Sequence, residues 1–502
     1  MSECPRPSSA FLSAPSAPSP VPLPLPLPSA LFLFLADDQL KHAFSKHGRT
    51  GSSLSYSNQR SDTMAPSDDS RPNGRPSGDA NENTPLISAP NGLSSITRSS
   101  NGKPYSEDER WWVRTPSNFA RLTWATLASN YVNVLLVTVP LGIILGALDM
   151  NPTAVFIVNF LAIVPLAGLL SFATEEISVK LGQTLGGLMN ATFGNAVELI
   201  VSIVALTKGE IRIVQASMLG SILSNLLLVL GCCFIASGLR RGESRFNETV
   251  ASTMSSLMAV AATSLIIPAT MYAALVRSTE DSNTNILVLS RGTSIIMLIL
   301  YVLYLVFQLK THAKLFDAEA QEGEDGEGQK EPEILGPIPA TVCLILVTVL
   351  VAVCAEYLVD SIDSIVASSG ISKTFIGLIL LPIVGNAAEH VTAVVVAWKD
   401  KMDLAVGVAI GSSMQIALFV TPFLVMLGWI IGQPMSLHFQ GFETVVFFLS
   451  VLVVNYLIQD GKSNYLEGCM CIGTYVIIAI AFWVYPEDAG DIGELVSGLL
   501  GR

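Results

Sequence analysis

Two glutamates stand in matching contexts, GNAVE at 194–198 and GNAAE at 385–389, each inside an apolar run of membrane length. A charged side chain at the centre of a bilayer costs about 2.5–3.5 kcal/mol even on the lenient insertion scale, so an ionisable residue at that depth marks function by default. Each Glu follows an Asn by three positions, which puts Asn195 with Glu198, and Asn386 with Glu389, on one helix face. Helix-weakening residues precede both pairs: Gly186, Gly187 and Gly194 in the first, Pro382 and Gly385 in the second. A helix broken there frees backbone carbonyls, which is tolerated at such depth where they line a cavity. The apolar segments that follow add Ser221 and Ser224 in GSILSN, and Ser412 and Gln415 in GSSMQ, again three apart.

Two carboxylates ringed by neutral oxygens form the ligand set of a hard cation. Calcium takes about six to eight oxygen ligands from carboxylates, amides, carbonyls and water, and two Glu neutralise a divalent charge. Zinc is disfavoured because the repeats supply no Cys or His set at ligand spacing. His390, alone beside Glu389, reads as a packed or cavity-facing residue. Because a carboxylate must shed its proton to bind metal, protons and a divalent cation compete for Glu198 and Glu389. Opening the site to each side in turn exchanges one for the other. The composition leaves sodium open as an alternative driving ion.

The elements that position these residues follow from a duplication. GNAVELIVSIVALTKGEIRIVQASMLGS (194–221) aligns without gaps on GNAAEHVTAVVVAWKDKMDLAVGVAIGS (385–412), with eight identities at an offset of 191. Most of the matches are polar or Gly, which shared hydrophobicity does not produce. The chain has 502 residues, is 50% hydrophobic and 14% charged, and has a mean hydropathy of +0.53, a polytopic membrane composition. Apolar runs long enough to span a bilayer predict eleven spans near 126–148, 152–174, 184–207, 214–237, 249–274, 287–309, 337–359, 373–398, 404–431, 438–458 and 465–485. The two copies fall on spans three and eight, an odd separation, and therefore cross in opposite directions. That is the inverted-repeat plan, with sites near the midplane where the halves meet.

The expected architecture is thus all-α, with one extra N-terminal helix and two inverted five-helix repeats. Its parts are a disordered tail over 1–110, rich in Ser, Pro, Asn and Gly, a first helix region at 111–150, repeats at 151–311 and 337–486, a linker at 312–336, and a tail at 487–502. The apolar fragment near 24–38 is broken by prolines and lacks a preceding basic cluster, against a signal peptide. Fourteen Lys and Arg, among them Arg240, Arg241, Lys310, Lys399 and Lys401, fall on the side of the N-terminus, and five (Lys208, Arg212, Arg277, Lys373, Arg502) on the other. The positive-inside rule then puts the N-terminus in the cytosol and the C-terminus across the membrane. The linker holds eight acids between Asp317 and Glu333 against Lys330 alone, accounting for 7 of the net charge of −13. It reads equally as a calcium sensor and as a solvated connector, and it is no EF-hand, since Glu322 stands where the loop needs Gly. Six of the seven Cys lie in apolar runs without metal-like grouping.

The repeat segments closely resemble the alpha-repeats of the cation/proton exchanger family, within the calcium/cation antiporter superfamily, and look most like the fungal vacuolar members over about 105–485. The paired GNA-x-E motif carries the likeness; the proline-acid motifs of sodium/calcium exchangers are missing. The resemblance implies that Glu198 and Glu389 bind calcium and carry protons, that Asn195, Asn386, Ser221, Ser224, Ser412 and Gln415 line the pathway, and that manganese is a second cargo. It implies calcium/proton antiport into the vacuole, with the C-terminus lumenal, a lipid bilayer and the two ions as partners, and neither a cofactor, nor enzymatic activity, nor nucleic acid; the oligomeric state stays open. Glu82 to Ile87 fits an acidic dileucine sorting signal. Glu175, Glu176, Glu356 and Asp360 near span ends are either cation guides or ordinary interfacial acids. An intramembrane hydrolase is the remote alternative, disfavoured because the spans hold no Ser-His, Ser-Lys or zinc arrangement.

Overall fold

The computed structural model describes residues 131–275, 282–313 and 336–485. The N-terminal tail with its dileucine motif, the acidic run 317–333 and the tail 487–502 lie outside the described residues. The rest is helical: α1 (Thr138–Ala147, continuing a 3-10 turn at Tyr131–Val137), α2 (Pro152–Phe193), α3 (Ala196–Thr207), α4 (Ile211–Arg241), α5 (Glu248–Leu275), α6 (Ser282–Val306), α7 (Pro337–Ser369), α8 (Lys373–Gly385), α9 (Ala387–Trp398), α10 (Met402–Ile431), α11 (Gly441–Leu457) and α12 (Tyr465–Val484). Among the described residues seven helices are long and apolar enough to cross a membrane, eight when α8 and α9, bent by 57° at Asn386, count as one span. Three shorter apolar helices, 132–147, α3 and α11, occupy the places expected for spans one, three and ten.

Span three is short because its first half is counted in α2. Over 42 residues α2 keeps helical backbone, yet Ser178 Oγ lies 3.3 Å from Asn190 Oδ1. Twelve residues of straight helix would put about 18 Å between them, so the chain reverses between these positions. Gly186 permits the reversal, since a Cβ there would collide with the Ser178 carbonyl. The sequence put spans two and three on either side of this point; the turn is tighter than the polar break suggested, and helical hydrogen bonding runs through it. In the second repeat, α7 extends ten residues past the expected span, to an αL cap at Gly370.

The duplication is visible in the backbone. Adding 191 to the start of α3 gives the start of α9, adding it to the end of α3 gives the end of α9, and the start of α4 maps likewise onto that of α10. A π turn interrupts α4 at Ser224–Val229 and α10 at Ile416–Val420, near-equivalent positions. Such insertions occur often at functional sites, because the extra residue re-aims the side chains around it. α4 is the most buried of the long helices, with Ile213, Met218, Leu219, Ile222, Leu223 and Phe234 fully enclosed. The outer helices keep apolar stripes exposed, such as Ile295, Ile299 and Val302 on α6 and Val342, Ile345 and Val349 on α7. Exposed apolar stripes of this length suit a hydrocarbon solvent.

Contacts between breaks sort them into two sets. On one face Arg241 pairs with Asp400 at 2.7 Å, Arg240 donates to the Trp398 carbonyl, and strands β1 (Glu243–Arg245) and β2 (Lys462–Asn464) pair antiparallel. On the other, Lys208 pairs with Asp360 at 2.5 Å, Lys373 with Glu210 and Asp363 at 2.9 and 2.6 Å, and Arg212 with Glu443. Each group joins only breaks that alternating spans would leave on one side.

Candidate cation site

The site forms where the two broken segments meet. Asn195 (φ −99°, ψ 29°) and Asn386 (φ −91°, ψ 6°) sit in the bridge region between helices, so α3 and α9 begin afresh at Ala196 and Ala387. Glu198 and Glu389 therefore occupy the first turns of two 12-residue half-helices, where the helix dipole favours negative charge. The same broken ends would also hold an anion, but here the protein supplies its own carboxylates.

The two carboxylates cross over to each other's hinge. A Cβ built on Gly385, in the second repeat, would lie 3.1 Å from Glu198 Oε1; one built on Gly194, in the first, would lie 3.7 Å from Glu389 Oε1 and from Gln415 Oε1. At Gly385 the opposite repeat's acid approaches too closely for a side chain to be added without a shift, whereas at Gly194 the tight contact is the Asn190 carbonyl at 2.8 Å and Glu389 is at ordinary contact distance. Asn195 Nδ2 donates to Gln415 Oε1 at 2.7 Å, tying the repeats together, while Asn386 Nδ2 donates to the Pro382 carbonyl at 3.1 Å. Ser412 donates to Glu389. Ser224 lies 3.1 Å from His390 Nε2, so Ser224 is engaged by a fully buried histidine from the other repeat.

Five oxygens around this junction, Asn195 Oδ1, Asn386 Oδ1, Glu198 Oε1, Glu389 Oε2 and Ser221 Oγ, are enclosed and have no hydrogen-bond partner among the described residues. Leaving buried acceptors unpaired costs about 1–3 kcal/mol each, and a single hard cation satisfies several at once. Among the described residues no group of three or more His, Cys, Asp or Glu is arranged to hold a metal ion, so a cation here would draw its remaining ligands from amide and hydroxyl oxygens. Access differs between the two acids: Glu198 is buried, whereas Glu389 and Gln415 are half-buried and Gly194 is exposed. The junction is thus more accessible past Gly194 than beyond Glu198, where Ile163, Met218, Leu358 and Leu381 line a small cavity.

Of the expected site residues, Glu198, Glu389, Asn195, Asn386, Ser221, Ser412 and Gln415 meet at this junction. Ser224 stands beside it. Glu175 and Glu176 lie on α2 just before its reversal, and Glu356 and Asp360 lie on α7, with Lys208 bonded to Asp360 and 3.9 Å from Glu356. Ser202 and Ser217 were not expected. They line a cavity on the less accessible side of Glu198, and the available signal was their spacing, one helical turn from Glu198 and from Ser221.

Residues 151–310 and 339–484 match the sodium/calcium exchanger protein family, more than half of the chain and both repeats. The chain belongs to this family. It is 53% identical over 370 residues to a "Vacuolar calcium ion transporter" of Schizosaccharomyces pombe, covering 74% of this chain and 89% of that one. It is 45% identical over 365 residues to a "Ca(2+)/H(+) antiporter" of Synechocystis, covering 70% and 97%. Among solved structures, the Ca2+/H+ antiporter protein YfkE superposes with a TM-score of 0.59 at 36% identity, covering 70% of this chain and 99% of that one. The family match covers both halves, including GNAVE at 194–198 and GNAAE at 385–389.

Proposed function

We propose that this protein is a calcium/proton antiporter of the vacuolar membrane, moving calcium from the cytosol to the lumen by alternating access, with manganese as a second cargo. The observation that carries this reading is the reciprocal placement of Glu198 at Gly385 and Glu389 at Gly194, which brings two carboxyl groups to one junction. A divalent cation or protons can meet the charge of those groups, but not both together, and this exclusion couples their movements. Asn195, Asn386, Ser221 and Ser412 supply neutral oxygens, Gln415 orients Asn195, and Ser224 fixes His390. The relatives' names support calcium as cargo and protons as the counter-ion.

The architecture proposed is eleven spans, one extra helix at 111–150 followed by inverted five-helix repeats at 151–311 and 337–486. The N-terminus faces the cytosol and the C-terminus the lumen. In that orientation the junction is more accessible past Gly194, towards the cytosol, and Ile163, Met218, Leu358 and Leu381 line the small cavity on the lumenal side. Transport needs no cofactor and no covalent chemistry. Calcium uptake into sealed vesicles with an acid interior tests the proposal: the wild type accumulates calcium, and Glu198→Gln and Glu389→Gln insert normally but do not. Full uptake by either variant overturns it.

A further inference from the structure

The cavity beyond Glu198 has a polar lining that the duplication does not explain. It encloses about 20 Å³, and roughly 10–15 Å³ accommodates one water if two to four polar partners are present. Four polar side chains line it: Glu198 and Ser202 from α3, and Ser217 and Ser221 from α4; the rest of the wall is Ile163, Val201, Met218, Leu358 and the α8 segment 381–385. Ser202 Oγ, Ser221 Oγ and Glu198 Oε1 are enclosed and without a hydrogen-bond partner among the described residues. Ser217 donates to the Val214 carbonyl at 3.0 Å, which leaves its oxygen free to accept. The second repeat offers no counterpart, because the positions equivalent to Ser202 and Ser217 are Ala393 and Val408.

We infer that Ser202 and Ser217, with Ser221 and Glu198, form a hydrated subsite in which the transported cation keeps one water ligand, and that this subsite favours calcium over manganese. The inference deepens the antiport reading and rests on it. Water placed here donates its protons to the oxygens of Ser202, Ser217 or Ser221 and turns its own oxygen towards a cation held by Glu198. Calcium fills six to eight oxygen positions at about 2.3–2.6 Å, whereas manganese settles in octahedral sites of six. The enclosed oxygens at the junction number five, so a water ligand matters more to the larger shell. The subsite is one-sided: calcium sits off-centre towards Glu198, with Glu389 completing the shell from the open side.

The test is competitive uptake of radiolabelled calcium and manganese into proteoliposomes under one imposed pH gradient. Ser202→Val and Ser202→Thr have the same shape and differ by the hydroxyl. The calcium-to-manganese ratio falls about fivefold in Ser202→Val, the weight of roughly one hydrogen-bonded ligand, and stays at the wild-type value in Ser202→Thr. Should Ser202→Val fail to insert, Ser202→Ala combined with Ser217→Ala removes only the two hydroxyls and gives the same fall. An unchanged ratio, or calcium and manganese rates that drop together, overturns the inference. Failure of the antiport reading looks different: wild-type vesicles then accumulate neither ion under the gradient. Competition of the two metals for purified protein reads the same ratio in that case.

Discussion

Replacing Gly385 by Ala places a methyl group 3.1 Å from Glu198 Oε1 and 3.2 Å from its Cγ and Cδ. Ordinary contact begins about 0.3–0.4 Å further out, so the carboxylate must retreat by that amount, the hinge backbone being fixed by the Asn386 N–H bond to the Pro382 carbonyl at 3.0 Å. For a divalent cation about 2.4 Å from a carboxylate oxygen, stretching the contact to about 2.8 Å at an effective dielectric of about 20 loses about 2 kcal/mol. That corresponds to roughly thirtyfold weaker binding. The assay is the initial rate of calcium uptake into vesicles against calcium concentration, with expression and thermal stability as folding controls. Gly385→Ala raises the half-saturating calcium concentration about thirtyfold and keeps substantial uptake at saturation. Gly407→Ala, in α10 with nothing within 4 Å of the added methyl, leaves it unchanged. A Gly385→Ala protein within about twofold of wild type would refute the claim that Glu198 binds cation from this position.

Further outcomes follow from the same geometry. Acidifying the side to which the junction opens raises the calcium concentration needed for half-maximal binding, because Glu198 and Glu389 bind metal only when deprotonated; calcium titrations of purified protein across pH check the sign. A protonophore at constant sodium abolishes calcium accumulation, whereas uptake that persists would identify sodium as the coupling ion. Arg212→Ala strands Glu443, which is completely buried and accepts both guanidinium bonds, so thermal unfolding in detergent shows a loss of about 3–5 kcal/mol. Asn195→Ala removes the 2.7 Å bond to Gln415 as well as one enclosed oxygen, and slows calcium uptake about tenfold with little change in melting temperature.

Much of the junction was legible because the duplication repeats polar residues where hydrophobicity alone repeats nothing. Gly194 and Gly385 pointed to the helix breaks, which fall one residue later at Asn195 and Asn386, and the 191-residue offset carries through to the ends of α3 and α9. What the offset could not reach was asymmetric. Ser202 and Ser217 face Ala393 and Val408 in the other copy, so a search for paired polar positions passes over them. The Ser224–His390 contact joins residues 166 apart and needs the relative placement of both repeats, which no local pattern encodes. The π turn in α10 runs up to Thr421-Pro422 and that in α4 up to Leu230-Gly231, but a Pro or Gly inside an apolar run does not by itself specify a π turn. The α2 reversal was located but misjudged in form, because Gly186 reads as a helix weakener when its role is a close approach to Ser178. Glu356 and Asp360 drew notice as acids, yet their placement came from the extra length of α7 and from Lys208.

The claim beneath all of this is that a single cation touches acids donated by oppositely oriented repeats. Diffraction from calcium-loaded crystals tests it most directly: the account predicts one calcium ion about 2.3–2.6 Å from carboxylate oxygens of both Glu198 and Glu389. Calcium found on only one of these acids, or away from both while transport remains active, would contradict it.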